Sequence, residues 1–93
     1  MGTIHGGAIA TWVDVVTSAA ILMLDAKERI ASVSVNLDVD YMTAAPKGSD
    51  VYFRTRVSKI GKSLAFTSCD VCNAGGTVLA KSTHIKAFVV AKM

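Results

Sequence analysis

The sequence predicts an α+β fold, one long helix followed by a small antiparallel sheet, and three observations carry that expectation. Residues 6–24 hold no proline and one charge, Asp14. Residues 33–41 alternate apolar and polar side chains without a break. Glycine-containing turns then divide the remainder into strand-length pieces. A chain of 93 residues is expected to form one domain, 1–93.

The helix is read first. Ile9, Val13, Val16, Ala20 and Leu24 recur at helical spacing, with Trp12, Ala19 and Met23 beside them. The other side is small rather than charged, with Ala10, Thr11, Thr17 and Ser18. A helix without a charged face is expected to be buried on most sides. The segment Asp25-Ala26-Lys27-Glu28-Arg29 reads as the solvated stretch that ends it.

Strands follow. Val33, Val35, Leu37, Val39 and Tyr41 alternate with Ser34, Asn36, Asp38 and Asp40, a period of two that puts the polar four on one face. Thr43 to Ser49, with Pro46 and Gly48, reads as a loop. Further strands are expected from Asp50 to Ile60, Leu64 to Asn73 and Thr77 to about Val90. The turns between them are Gly61-Lys62-Ser63 and Ala74-Gly75-Gly76, so the strands should pair as an antiparallel meander. Such a sheet is expected to curl around the helix.

Composition bounds the function. At 52% hydrophobic and 18% charged residues, the chain is too apolar for a disordered segment. Its net charge of +3 suits small anionic ligands and is too weak and scattered for a nucleic-acid protein. A chain of this size buries only roughly 60–65% of its unfolded surface. The apolar excess therefore points to contact with a second copy, and pairing across a twofold axis would also cover open sheet edges. The longest uncharged stretch of the helix, Val15 to Leu24, is ten residues, against the roughly 20 a membrane span needs. No span is expected. Residues 1–7 carry no Lys or Arg and do not read as a secretory signal.

Two cysteines cannot form a disulfide framework, and the expected compartment is a reducing one, the cytoplasm. Cys69 and Cys72, three apart on a strand, should point to opposite faces and share neither a metal nor a bridge. Ala91-Lys92-Met93 loosely resembles the S-K-L peroxisomal address, and a mitochondrial presequence would lie ahead of these residues; both stay open. P-loop, H-E-x-x-H and nucleophile-elbow motifs are absent. No metal or cofactor is expected. His84, with Lys81 and Lys86 near it in sequence, reads as a surface residue.

Two features carry candidate chemistry. His5-Gly6-Gly7 stands where the helix begins, and the first amides of a helix have no internal partners and lie at its positive end. They could hold an oxyanion, or the glycines could simply form a tight entry. Asp14 is either a functional carboxylate or a surface residue; its one-turn neighbours Ala10 and Ser18 are small, which fits close packing better than a wet face. Asp14 is eight residues beyond Gly6, about 12 Å along a helix. Reacting groups must lie within about 3–3.5 Å. If both act on one carbonyl, they belong to different subunits.

The run Gly2-Thr3-Ile4-His5-Gly6-Gly7, then Asp14, then Val33-Ser34-Val35, Tyr41-Met42 and Gly61-Lys62-Ser63-Leu64-Ala65-Phe66-Thr67-Ser68, resembles the hotdog-fold acyl-CoA thioesterases. Within them it is most similar to the thioesterase superfamily member 2 (acyl-CoA thioesterase 13) group and the bacterial phenylacetate-pathway enzymes. The resemblance implies a hotdog fold, hydrolysis of fatty or aryl acyl-CoA to free acid and coenzyme A, and a homodimer or homotetramer. It implies that Gly6 donates its amide to the thioester carbonyl, that Asp14 of the other subunit activates water (attack by Asp14 itself through an anhydride being the lesser alternative), that Ser34 orients that water, and that His5 supports the entrance. Gly7, Tyr41, Met42, Lys59, Gly61, Lys62, Ser63 and Leu64 match positions that hold the coenzyme A portion.

The family pattern also has a helix, a strand and an asparagine ahead of the histidine, where four residues precede His5 here. Loss of one oxyanion donor costs about 10²–10³ in rate. A weakened acyl-CoA-binding or protein-interaction module of the same fold therefore stands as the alternative to a hydrolase. A hydratase on this fold is disfavoured, because it would need a second histidine near the acid.

Overall fold

A computed structural model describes residues 6–27, 29, 31–44 and 48–89. Helix α1 spans Gly6–Leu24, and four strands follow: β1 Ser32–Tyr41, β2 Val51–Ile60, β3 Leu64–Asn73 and β4 Val78–Phe88. All pairings are antiparallel, in the order β1-β4-β3-β2. The expected meander holds for β2, β3 and β4. It fails for β1, which pairs with β4 instead of β2, so β4 is a central strand and β1 an edge.

The β3–β4 turn shows why a glycine is needed there. Gly76 has φ of 86°, in the left-handed region. That geometry lets its amide donate to Asn73 O at 3.0 Å while Thr77 N donates to Asn73 Oδ1 at 2.9 Å.

The helix lies across one face of the sheet. Ile9 and Val13 pack on Cys69, Val71 and Ala80, with Leu37, Val39, Val51 and Phe53 around them. Full burial of a side chain such as Val13 contributes about 1.5–3 kcal/mol. Ile21 extends the buried stripe. Burial on most sides, as expected from the uncharged helix, is not what a single chain shows. Trp12, Val15, Leu22, Met23 and Leu24 are half or more exposed, as are Val33 and Val35 on the edge strand β1. Among the described residues, nothing covers the apolar outer side of α1 or the β1 edge.

Two further expectations are corrected. Residues Gly7–Leu24 form an 18-residue helical stretch that is, by length and composition, long and apolar enough to cross a membrane. Counting only the uncharged run missed this, because Asp14 interrupts the sequence but not the apolar helix. Here that helix packs on a sheet. Asp25 is also not solvated. Its carboxylate is 1% exposed and takes a forked pair of bonds from Arg29, Nε to Oδ2 at 3.0 Å and Nη2 to Oδ1 at 3.1 Å. Hydrogen bonding from Arg29 pulls the Asp25 pKa down to about 2 against the opposing cost of burial.

Arg29 then ties the helix end to the sheet. Its guanidinium donates to Lys62 O at 2.6 Å and Gly61 O at 3.2 Å, and lies 3.6 Å over the Phe88 ring. The β2–β3 turn is thereby held against the C-terminal end of α1.

Candidate active site

The register of β1 decides which side chains can meet the helix. Ser34 pairs with Lys86 and Asn36 pairs with Ile85, so Val35 is the extra residue of a bulge. A bulge exchanges the faces on either side of it. Ser34 therefore shares the helix-facing side with Leu37 and Val39, whereas Asn36, Asp38 and Asp40 occupy the opposite face. The single polar face expected from strict alternation is split, and only Ser34 is turned inward.

On β4 the inward residues are Ser82, His84 and Lys86, all buried. His84 is fully buried, which overturns its reading as a surface residue. Its Nδ1 is 2.8 Å from Thr17 Oγ1 on the helix, and its Nε2 is 2.7 Å from Ser34 Oγ on β1. The Asp14 carboxylate, with half its surface open, brings Oδ1 to 3.9 Å from the same Nε2. Burial pushes the His84 pKa below its ordinary value; the Asp14 charge opposes that shift and the Lys86 charge adds to it. The acid does have a histidine neighbour, which the sequence reading had denied.

A second chain of bonds reaches Asp14 from Lys86. Lys86 Nζ donates to Ser18 Oγ at 2.9 Å, and Ser18 Oγ donates to Asp14 Oδ1 at 3.2 Å. The direction is fixed, because an ammonium has no acceptor and Ser18 has one proton to pass on. Oδ1 is thus engaged from below, and Oδ2 is left for a ligand.

The remaining candidates fall into two groups. Gly6 and Gly7 open the helix, whose first turns pack near Val71 and Ala80. Tyr41 pairs with Ala80, so Tyr41 and Met42, both more than half exposed, lie at that same end of the sheet. Leu64 pairs with Ala87, seven positions further along β4, or roughly 23 Å. Lys59, Lys62 and Ser63 are exposed around that far end, and a cleft there is lined by Leu24, Lys27, Gly61 and Lys62. The positions that the resemblance assigns to coenzyme A therefore lie at two opposite ends of one chain. Asp14, Ser34 and His84 lie between the two groups. His5 lies outside the described residues, as do residues 91–93.

The two cysteines behave as the spacing implied. Cys69 sits in the core, where burial raises its pKa, and Cys72 accepts from Arg54 at 2.9 Å on the other face. Among the described residues, no three His, Cys, Asp or Glu converge as a metal site.

Sequence reasoning missed His84, Thr17, Ser18 and Lys86. The faces of β4 are equally mixed, with Lys81, Thr83 and Ile85 opposing Ser82, His84 and Lys86, so alternation alone could not pick the inward one. The sequence carries no signal that separates them; the inward face follows from the register that sets His84 opposite Leu37 and Lys86 opposite Ser34.

Comparison with known proteins agrees with this architecture. A family model described as the thioesterase superfamily matches residues 1–80. The chain is 43% identical over 87 residues to human acyl-coenzyme A thioesterase 13, covering 92% of this chain and 61% of that protein. The mouse protein of that name is 38% identical over the same shares. Among solved structures, zebrafish thioesterase superfamily member 2 superposes with a TM-score of 0.88 at 36% identity, covering 95% of this chain and 63% of that one. This chain thus spans about three fifths of the length of the relatives it matches. With one helix laid on an antiparallel sheet and a family match over most of its length, the chain belongs to the thioesterase superfamily and has its hotdog fold.

Proposed function

We propose that this protein hydrolyses acyl-CoA thioesters in a site shared between two copies of the chain. One observation carries the reading: Asp14, Ser34 and His84 of one chain converge at a single point. That point is about 12 Å along the helix from the same chain's Gly6. A water-activating half and a carbonyl-polarising half are both present, and one chain cannot bring them together. A twofold pairing of the exposed helix sides can supply each half with the other. The uncovered Trp12, Val15, Val33 and Val35 provide the apolar surface for it.

In this reading water lies between Asp14 and Ser34. As its oxygen bonds to the thioester carbon, its proton passes to the Asp14 carboxylate. The carbonyl electron pair moves onto oxygen, held by the Gly6 amide of the partner subunit. Collapse breaks the carbon–sulfur bond, and the thiolate takes the proton back from Asp14. The products are a free acid and coenzyme A, with Asp14 again ionised. The cleft beside Lys62 lies near Leu24, about 15 Å along the helix from Asp14. That separation suits a nucleotide joined to the thioester by a pantetheine arm, with Lys59 and Lys62 beside the phosphates. Tyr41 and Met42 travel with the Gly6 half from the other subunit.

The test is hydrolysis of decanoyl-CoA by wild type and Asp14→Ala. Turnover that depends on Asp14 is expected. Equal rates would defeat the mechanism, and calorimetric binding without turnover by the wild type would favour the binding-module alternative.

A further inference from the structure

We propose that His84 is a positioning residue for the attacking water: in its Nδ1–H tautomer it accepts a hydrogen bond from Ser34, which leaves the Ser34 oxygen free only to accept. This deepens the thioesterase reading above and rests on it for the water's fate.

The tautomer follows from counting protons. The Thr17 hydroxyl has one, and three groups crowd it. Val13 O lies at 2.8 Å, Asp14 O at 3.3 Å and His84 Nδ1 at 2.8 Å. The two carbonyl oxygens can only accept. If Thr17 gave its proton to Nδ1, lone pairs of Thr17 Oγ1 and Val13 O would face each other at 2.8 Å in the buried core with no proton between them. Every contact is satisfied one way: Nδ1–H donates to Thr17, and Thr17 donates to Val13 O.

The other ring nitrogen is then determined. Burial favours the neutral ring, and in that ring, with the proton on Nδ1, Nε2 carries a lone pair and no proton. Its neighbour at 2.7 Å, Ser34 Oγ, must be the donor. With its proton so committed, Ser34 offers lone pairs to anything in front of it. Asp14 Oδ2 does the same. A water between them meets two acceptors, gives one hydrogen to each, and turns a lone pair outward, where a thioester carbon would lie. The opposite tautomer would make Ser34 a donor and engage the lone pair needed for attack.

The experiment has two parts. Ring-nitrogen NMR on ¹⁵N-histidine protein reads the tautomer in the wild type, with His84→Gln identifying the signal among the two histidines. Nδ1 protonated and Nε2 bare is expected; the reverse overturns the proposal. Kinetics with decanoyl-CoA then compare His84→Asn, which keeps a donor near Thr17 but cannot reach Ser34, with His84→Gln, whose amide oxygen can accept from Ser34. His84→Asn should lower kcat about tenfold to a hundredfold with KM little changed, and His84→Gln should recover most of it. In a Ser34→Ala background, His84→Asn should add no further loss. Equal kcat in wild type and His84→Asn, or full additivity with Ser34→Ala, overturns the role. Wild type that binds acyl-CoA without hydrolysing it overturns the hydrolase reading and with it His84's part in hydrolysis, whereas hydrolysis that ignores His84 overturns His84's part alone.

Discussion

Asp14 and His84 approach within 3.9 Å although seventy positions separate them, and they do so through the one ring nitrogen that Ser34 also engages. A helix carboxylate, a strand imidazole and an edge-strand hydroxyl thus share a single point above the sheet. Each would be unremarkable alone. In the proposed reaction this is the point at which water is held and deprotonated.

Asp14→Asn should lower kcat by about 10²–10⁴ with little change in KM. The amide keeps the shape and one oxygen, so the Ser18 bond survives while the proton acceptor is lost. Steady-state kinetics with decanoyl-CoA check this, and circular dichroism should show an unchanged fold.

Mixing two inactive variants tests the shared site. Gly6→Pro removes the amide that would hold the oxyanion, at a first-turn position where proline is tolerated. In a mixed dimer with Asp14→Asn, one site receives an intact Asp14 and an intact Gly6, while the other receives neither. Random exchange makes about half the dimers mixed, so about a quarter of wild-type activity should return. No recovery after confirmed exchange would place both groups in one chain.

Acid should destabilise the fold in two steps. His84 has its folded pKa depressed, so the unfolded state binds the extra proton more readily. Its contribution is complete above the ordinary histidine value and is lost as pH falls through that value toward the folded one. The charged groups facing its ring are Asp14 from the helix and Lys86 from its own strand. Asp25 follows the same sign lower down: full contribution above the ordinary carboxylate value of 3.8, and loss as pH falls toward about 2. Thermal midpoints between pH 8 and pH 2 should show both declines. His84→Gln should remove the upper one and Asp25→Asn the lower.

How much of this was legible in the sequence depends on the residue. The helix and Asp14 were plain, since a lone charge in an apolar 19-residue segment stands out. The hairpins announced themselves through Gly61 and Gly76. Ser34 is a candidate from the sequence but is grouped there with Asn36, Asp38 and Asp40 on one face, because alternation cannot register the extra residue at Val35. His84 was misplaced for a topological reason: only the pairing of β1 with β4 makes its strand central. Lys86 and Asp25 show the same limit from the electrostatic side. Their charges suggested solvent, and each is instead buried beside a partner far away in the sequence or one turn on.

The edge strand supplies the last prediction. Val33 and Val35 are more than half exposed on β1, which among the described residues has β4 on one side and no strand on the other. Trp12 and Val15 are exposed on the helix that would lie at the same twofold. Val35→Lys places a charge in that apolar patch, a substitution of the kind that blunts strand edges. It leaves the intrachain core intact, since Ile9, Val13, Val71 and Ala80 are elsewhere. Sedimentation should therefore show a monomer that retains the wild-type circular dichroism. Its hydrolysis of decanoyl-CoA should fall at least as far as that of Asp14→Asn, because a monomer separates every Asp14 from a second chain's Gly6. A monomeric Val35→Lys protein with full activity would refute the two-chain site.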